Sequence, residues 1–298
     1  MQFLKGLAIS LLSLLLFLSL STFGLIFMLN QTLLNPDFIV AELNTLEISS
    51  LTEEILSEQI PQEEKFMAKV LDDTVTDLEP WIKEQISTIT YASYDYLMGR
   101  SQSLNVVVSL QPVTDNLKDN LRQAILQSPP PELTELPPAE VERYFDELYQ
   151  QFTQDIPSTF EVNQNSLPPE SQSTLEQVRQ AIGYFQTGYQ VLIGFMLLLI
   201  LGIILINRQV KSTTRSLGTT FLTFGAFQYI GILIAKYFSR ASSPDLPLSF
   251  QTWLPQFLSD LLAPLEMLSI VLAVTGVVLI TVSIIYKRKP SVQIDNYT

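Results

Sequence analysis

The sequence predicts a mainly α-helical membrane protein: four transmembrane helices, with a mostly helical α+β extracytoplasmic domain that carries a small two-stranded β element and is inserted between the first and second. Two observations carry this. Four apolar runs, at about 6–29, 185–206, 217–235 and 267–286, contain no Asp, Glu, Lys or Arg, and each is long enough to cross a hydrocarbon core of roughly 30 Å at about 1.5 Å per helical residue. Charge is concentrated between the first two runs: residues 30–184 hold 26 Asp and Glu against 8 Lys and Arg, a net of −18 in a chain whose total is −13, so the remainder is basic by five.

The first run, Gly6 to Leu29, is preceded by the single cation Lys5. Its apolar stretch exceeds the 7–15 residues usual for a signal peptide, so residues 1–29 are expected to be an uncleaved anchor; a cut after Ser21, in the patch Ser19-Leu20-Ser21, is the rival reading. The acidic domain, 30–184, then opens with a helix start at Asn35-Pro36-Asp37: Asn35 caps, Pro36 takes the first helical position and Asp37 favours the positive end of the dipole. Ser50 and Glu53 form a capping-box pattern ahead of Leu51 and Ile55, with Pro61 ending that helix. From Phe66 to Ile89 apolar residues recur at helical steps, and Pro80 is expected to kink or restart the element.

Gly99 is expected as a left-handed cap. Residues 104–110, Leu-Asn-Val-Val-Val-Ser-Leu, have the β-branched density of a strand. A helix follows over 112–127, then a proline-rich connector, 128–138, expected to be extended and exposed, and a helix over 139–152. Thr159-Phe160-Glu161-Val162 reads as a second strand pairing with 104–110, because a lone strand has no partner for its backbone. From Ser171 the helical period runs without a breaker into the second span, as one helix of about 35 residues.

The second and third spans are read at 185–206 and 217–235, an outer amphipathic helix at 250–262, the fourth span at 267–286 and a tail at 291–298. In the amphipathic stretch Phe250, Trp253, Leu254, Phe257, Leu258, Leu261 and Leu262 repeat at helical intervals, with Gln251, Thr252, Gln256, Ser259 and Asp260 opposite. The stripe carries no basic residue, so it is read as an interfacial anchor, a cover for the underside of the acidic domain, or an interaction surface for a partner. Within the third span Gly218, Gly225, Gly231 and Ala235, with Thr219, Thr220, Thr223 and Gln228, are read as helix-packing contacts in preference to a pore lining.

Arg208, Lys211 and Arg215 lie between the second and third spans and Lys287, Arg288 and Lys289 follow the fourth. By the positive-inside rule these segments are cytoplasmic, as are both termini, and 30–184 is extracytoplasmic; Lys236 and Arg240 fall in the short outer loop. The expected location is a plasma membrane of prokaryotic type.

The chain contains no His and no Cys, which excludes imidazole and thiolate mechanisms and the usual zinc ligand sets. A net-acidic outer domain argues against nucleic acid. Carboxylate pairs at Glu53-Glu54, Glu63-Glu64, Asp72-Asp73 and Asp146-Glu147 lack calcium-loop spacing and read as solvated helix faces. Tyr91, Tyr94 and Tyr96 beside Trp81 read as core or membrane-proximal contacts. No catalytic residue, cofactor or metal site is expected. The function expected is non-enzymatic: a scaffold, accessory or sensor subunit whose acidic domain binds a protein or peptide partner, or cations, in the lipid bilayer. The alternatives are an oligomeric pore or transport component and a carboxylate-based hydrolase.

Overall fold

A computed structural model describes residues 2–59, 65–127, 133, 137–164, 168–239 and 248–286. In order, the elements are α1 (Gln2–Gln31), α2 (Pro36–Thr45), α3 (Ile48–Gln59), α4 (Lys65–Leu97), β1 (Asn105–Ser109), α5 (Gln111–Gln127), α6 (Pro138–Thr153), β2 (Thr159–Asn163), α7 (Pro169–Asn207), α8 (Val210–Ser239) and α9 (Leu248–Ile285). They form two compact units: one draws on described residues of 1–33, 185–241 and 258–298, the other on those of 34–184 and 242–257.

The first unit is a bundle. Its four helices, α1, α7, α8 and α9, are each long and apolar enough to cross a membrane, which makes this a multi-pass membrane protein. Leu16 and Leu20 of α1 are buried with Met196, Leu199 and Ile203 of α7 and Leu217 and Phe224 of α8. Phe17 meets Phe224 edge-on at 5.8 Å, and Phe23 stacks on Tyr189 at 5.6 Å. Outward lie Leu197, Leu201, Phe227, Val277 and Val278, all exposed; such a surface suits lipid, where apolar side chains need no cover.

Glycine sets how closely α8 and α9 approach. A Cβ on Gly225 would come within 2.5 Å of the Ser269 carbonyl oxygen, and one on Gly276 within 2.5 Å of the Leu222 backbone nitrogen. A Cβ on Gly218 would come within 2.9 Å of the Gly276 carbonyl oxygen, whereas one on Gly231 would meet nothing within 4 Å. Two of the three glycines read as packing contacts in the third span therefore serve that purpose. Arg208 takes the left-handed conformation, φ 51°, between α7 and α8, and Ser283 Oγ donates to the Lys211 carbonyl at 2.8 Å.

Two boundaries differ from the sequence reading. The amphipathic stretch and the fourth span are one helix, α9, continuing through Pro264. Lys236 lies in the last turn of α8 instead of an outer loop, and its Nζ is 2.5 Å from Glu266 Oε2 on α9. Pairing neutralises both charges, so both helices extend past the uncharged runs that marked their spans.

In the second unit Asn35 caps α2 as its sequence demands, its side-chain oxygen accepting from the Asp37 N–H at 3.1 Å, with Pro36 at the first position. The capping box does not form: Ser50 lies inside α3 and its hydroxyl donates to Glu47 at 3.0 Å. Pro80 sits within an uninterrupted α4. Gly99 closes α4 at φ +72°, with its N–H bonded to the Tyr96 carbonyl.

β1 and β2 pair antiparallel, Val106 opposite Val162 and Val108 opposite Phe160. Val106 and Val108 face a cluster with Tyr96 and Leu104, against which Trp81 and Ile89 pack. A second cluster joins Val70 of α4, Leu117, Leu121 and Ile125 of α5 and Phe145 of α6 to Leu133. Leu133 anchors the proline-rich connector instead of lying exposed; the rest of that connector up to 136 falls outside the described residues, as do Pro61, Glu63-Glu64, Arg240 and Lys287 to Lys289. The buried Asn120 of α5 donates to Asp77 of α4 at 3.0 Å, so the polar group inside this core is satisfied.

Candidate functional site

Helical spacing puts Phe38, Glu42 and Thr45 on one side of α2, and Phe250, Trp253 and Phe257 on one side of the start of α9. The two faces meet. Trp253 stacks on Phe257 with centroids 4.9 Å apart, Phe250 stands edge-on to Trp253 at 6.0 Å, and Phe38 lies 6.1 Å from Phe257. The last four carbonyls of a helix lack intrahelical donors. The Trp253 indole N–H supplies one, donating to the Glu42 carbonyl at 3.1 Å, and Thr45 Oγ donates to the same oxygen at 2.7 Å. Trp253 thus fastens α9 to the C-terminal end of α2 with its polar edge while its ring covers apolar surface.

Beside this joint opens a pocket of about 280 Å³, walled by Thr45, Leu46 and Glu47 on one side and by Ser249, Thr252, Trp253 and Gln256 on the other. Glu47 is the single acid lining it among the described residues. Ser249 Oγ lies 3.5 Å from Glu54 Oε2, so α3 contributes a second carboxylate nearby. The pocket can accept hydrogen bonds and attract a cation such as a lysine or arginine side chain.

The start of α3 is held by α4. Ser49, one of the residues at the start of α3 whose N–H has no intrahelical acceptor, donates to Glu79 Oε2 at 3.4 Å, and Lys83 Nζ is 2.8 Å from Glu79 Oε1. The hydrogen bond from Lys83 holds the Glu79 carboxyl below its ordinary range, against the opposing effect of burial and with help from Ser49. A carboxylate at this helix start is also favoured by the dipole. Sequence reasoning missed Glu79 because it acts 30 residues away from the end it caps.

No family model matches the chain, and neither a curated protein nor a solved structure is found to be similar to it.

Of the stripe read as an interaction surface, Phe250, Trp253 and Phe257 are brought together at the joint, half-buried. Leu254 is half-buried on the same stretch, and Leu258 and Leu261 continue along α9, also half-buried. The tyrosines separate. Tyr91 is exposed and donates its hydroxyl to Asp37 at 2.8 Å, which pushes its ionisation up; burial does the same to Tyr94. Tyr96 is buried, donating to Glu176 at 3.1 Å beneath the Arg179 guanidinium, 4.7 Å from its ring.

Seven of the eight cations between residues 30 and 184 meet a carboxylate or an aromatic ring of the same unit. Lys69 pairs with Asp73, Lys83 with Glu79, Arg100 with Asp95, Arg122 with Glu142, Arg143 with Glu147 and Arg179 with Glu176. Lys118 lies 5.6 Å over the Tyr149 ring. Among the described residues no three Asp or Glu side chains converge as an ion's ligands would.

Proposed function

We propose that this is a multi-pass plasma-membrane protein with both termini cytoplasmic and the acidic unit outside, and that it works without catalysis, as a scaffold, accessory or sensor subunit whose acidic domain binds a basic protein or peptide. One observation carries the reading: residues 30–184 have an excess of 18 negative charges, and six of their eight cations already face carboxylates of the same unit. The field offered to a partner is therefore acidic, which favours and steers a basic one. The pocket at Glu47 and Trp253 is where a lysine or arginine would find a carboxylate beside an aromatic wall.

A pore assembled from several copies is less favoured, because the four apolar runs contain no ionisable residue of the kind that lines an ion path. Cross-linking intact cells and purifying the protein by a C-terminal tag tests the proposal. A stoichiometric partner with a basic segment facing the same compartment, lost at high salt when the cross-linker is omitted, is the expected result. A homogeneous self-oligomer that conducts ions in liposomes contradicts it.

A further inference from the structure

Between the first half of α1 and the first half of α8 lies a groove of about 410 Å³ lined largely by hydroxyls, among them Ser10, Ser13, Ser212 and Ser216, with the Arg215 guanidinium at its wall. Several of these hydroxyls are committed: Ser212 donates to Asn207 Oδ1 at 2.8 Å, and Thr219 and Thr220 donate to carbonyls one turn back. Three donors are left. Ser13 and Ser216 share one hydrogen bond at 3.1 Å, so one of their two protons is unused. Ser10 and the Arg215 side chain have no partner among the described residues.

The charge around the groove has one sign. Lys5 sits one residue before Gly6 of the lining and donates to the Asn207 carbonyl at 3.2 Å, Arg208 lies in the turn between α7 and α8, and Lys211 is in the first turn of α8. None of Lys5, Arg208, Lys211 and Arg215 is in an ion pair among the described residues, and 1–33 and 185–241 contain no Asp or Glu at all. A groove offering uncommitted hydroxyl donors and a forked guanidinium, with no carboxylate to satisfy them, has the chemistry of a phosphate site. In a bilayer-spanning chain the phosphate present at a helix end is that of a phospholipid.

We propose that this groove binds the phosphodiester headgroup of an anionic phospholipid, with Arg215 and Ser10 as its principal donors. The proposal rests on the chain spanning a bilayer and is independent of what the acidic unit binds.

The test is native mass spectrometry of the full-length, delipidated protein in detergent, titrated with dioleoylphosphatidylglycerol, with dioleoylphosphatidylcholine and with inorganic phosphate. The wild type is expected to prefer phosphatidylglycerol by about five- to tenfold. Arg215→Gln should remove that preference, Ser10→Leu should remove most of it by replacing a donor with apolar bulk while every charge stays in place, and Arg208→Gln, an equal loss of charge outside the lining, should keep most of it. An unchanged preference in Arg215→Gln and Ser10→Leu overturns the proposal. So does an equal loss in Arg208→Gln, which would mean diffuse attraction, or full displacement of lipid by inorganic phosphate, which would mean a free-anion site. If Arg215→Gln does not fold, Ser10→Leu against Arg208→Gln decides alone.

Discussion

Two residues bear most on the energetics. Gly225 has no room for a side chain, because its Cβ would meet the Ser269 carbonyl oxygen at 2.5 Å and the Ala273 nitrogen at 2.7 Å, both backbone atoms that cannot rotate away. Gly225→Ala is expected to lower stability by about 2–3 kcal/mol, with Gly231→Ala, in open space, within about 0.5 kcal/mol of wild type; thermal melts in one detergent compare them. Glu79 is the second. Its carboxyl is held below the ordinary value of 4.5 by Lys83 and Ser49, so the folded state favours its charged form. That stabilisation is complete above the unfolded value and is lost as pH falls through the lower folded one. Melting temperature followed from neutral pH down to about 3 should therefore fall less steeply in Glu79→Gln than in wild type below the ordinary carboxylate range, the variant starting lower at neutral pH.

At the scale of elements, local signals account for what was legible and distance in the chain for what was not. Asn35-Pro36-Asp37 and Gly99 act through neighbouring residues, so the cap and the left-handed turn could be read from the sequence; the β-branched run 104–110 marked a strand, and its pairing with 159–162 followed because a lone strand has no backbone partner. The Ser50 box failed because Glu79, from another helix, serves the start of α3. Continuity of α9 was hidden because the fourth span was marked by its uncharged run, which begins after Glu266, and the cation that pairs with Glu266, Lys236, comes from another helix. The amphipathic stripe was legible, but its partner, Phe38 and the end of α2, was not, since more than two hundred residues separate Glu42 from Trp253. Trp253→Phe deletes the N–H and leaves a smaller aromatic ring, so it should destabilise by about 1–2 kcal/mol, while Trp253→Ala should cost about 3–4 kcal/mol. Near-equal melting temperatures for wild type and Trp253→Ala would mean that the joint contributes nothing.

For the whole molecule, one asymmetry ties location to function: a unit with a large excess of carboxylates, and a bundle whose cations outside an ion pair, among the described residues, are Lys5 and, around the turn from α7 to α8, Arg208, Lys211 and Arg215. If the positive-inside rule governs insertion, that turn is cytoplasmic and the acidic unit is outside, where an unsatisfied negative field would meet basic partners. The chain has no cysteine, so a single introduced thiol reports its own side of the membrane. The most direct measurement is labelling of Gln102→Cys, on the exposed turn ahead of β1, and Gln209→Cys, between α7 and α8, with a membrane-impermeant maleimide on intact cells. Labelling of Gln102→Cys without permeabilisation, and of Gln209→Cys only after it, is the expected result. The reverse pattern would place the acidic unit inside the cell and contradict the proposed function.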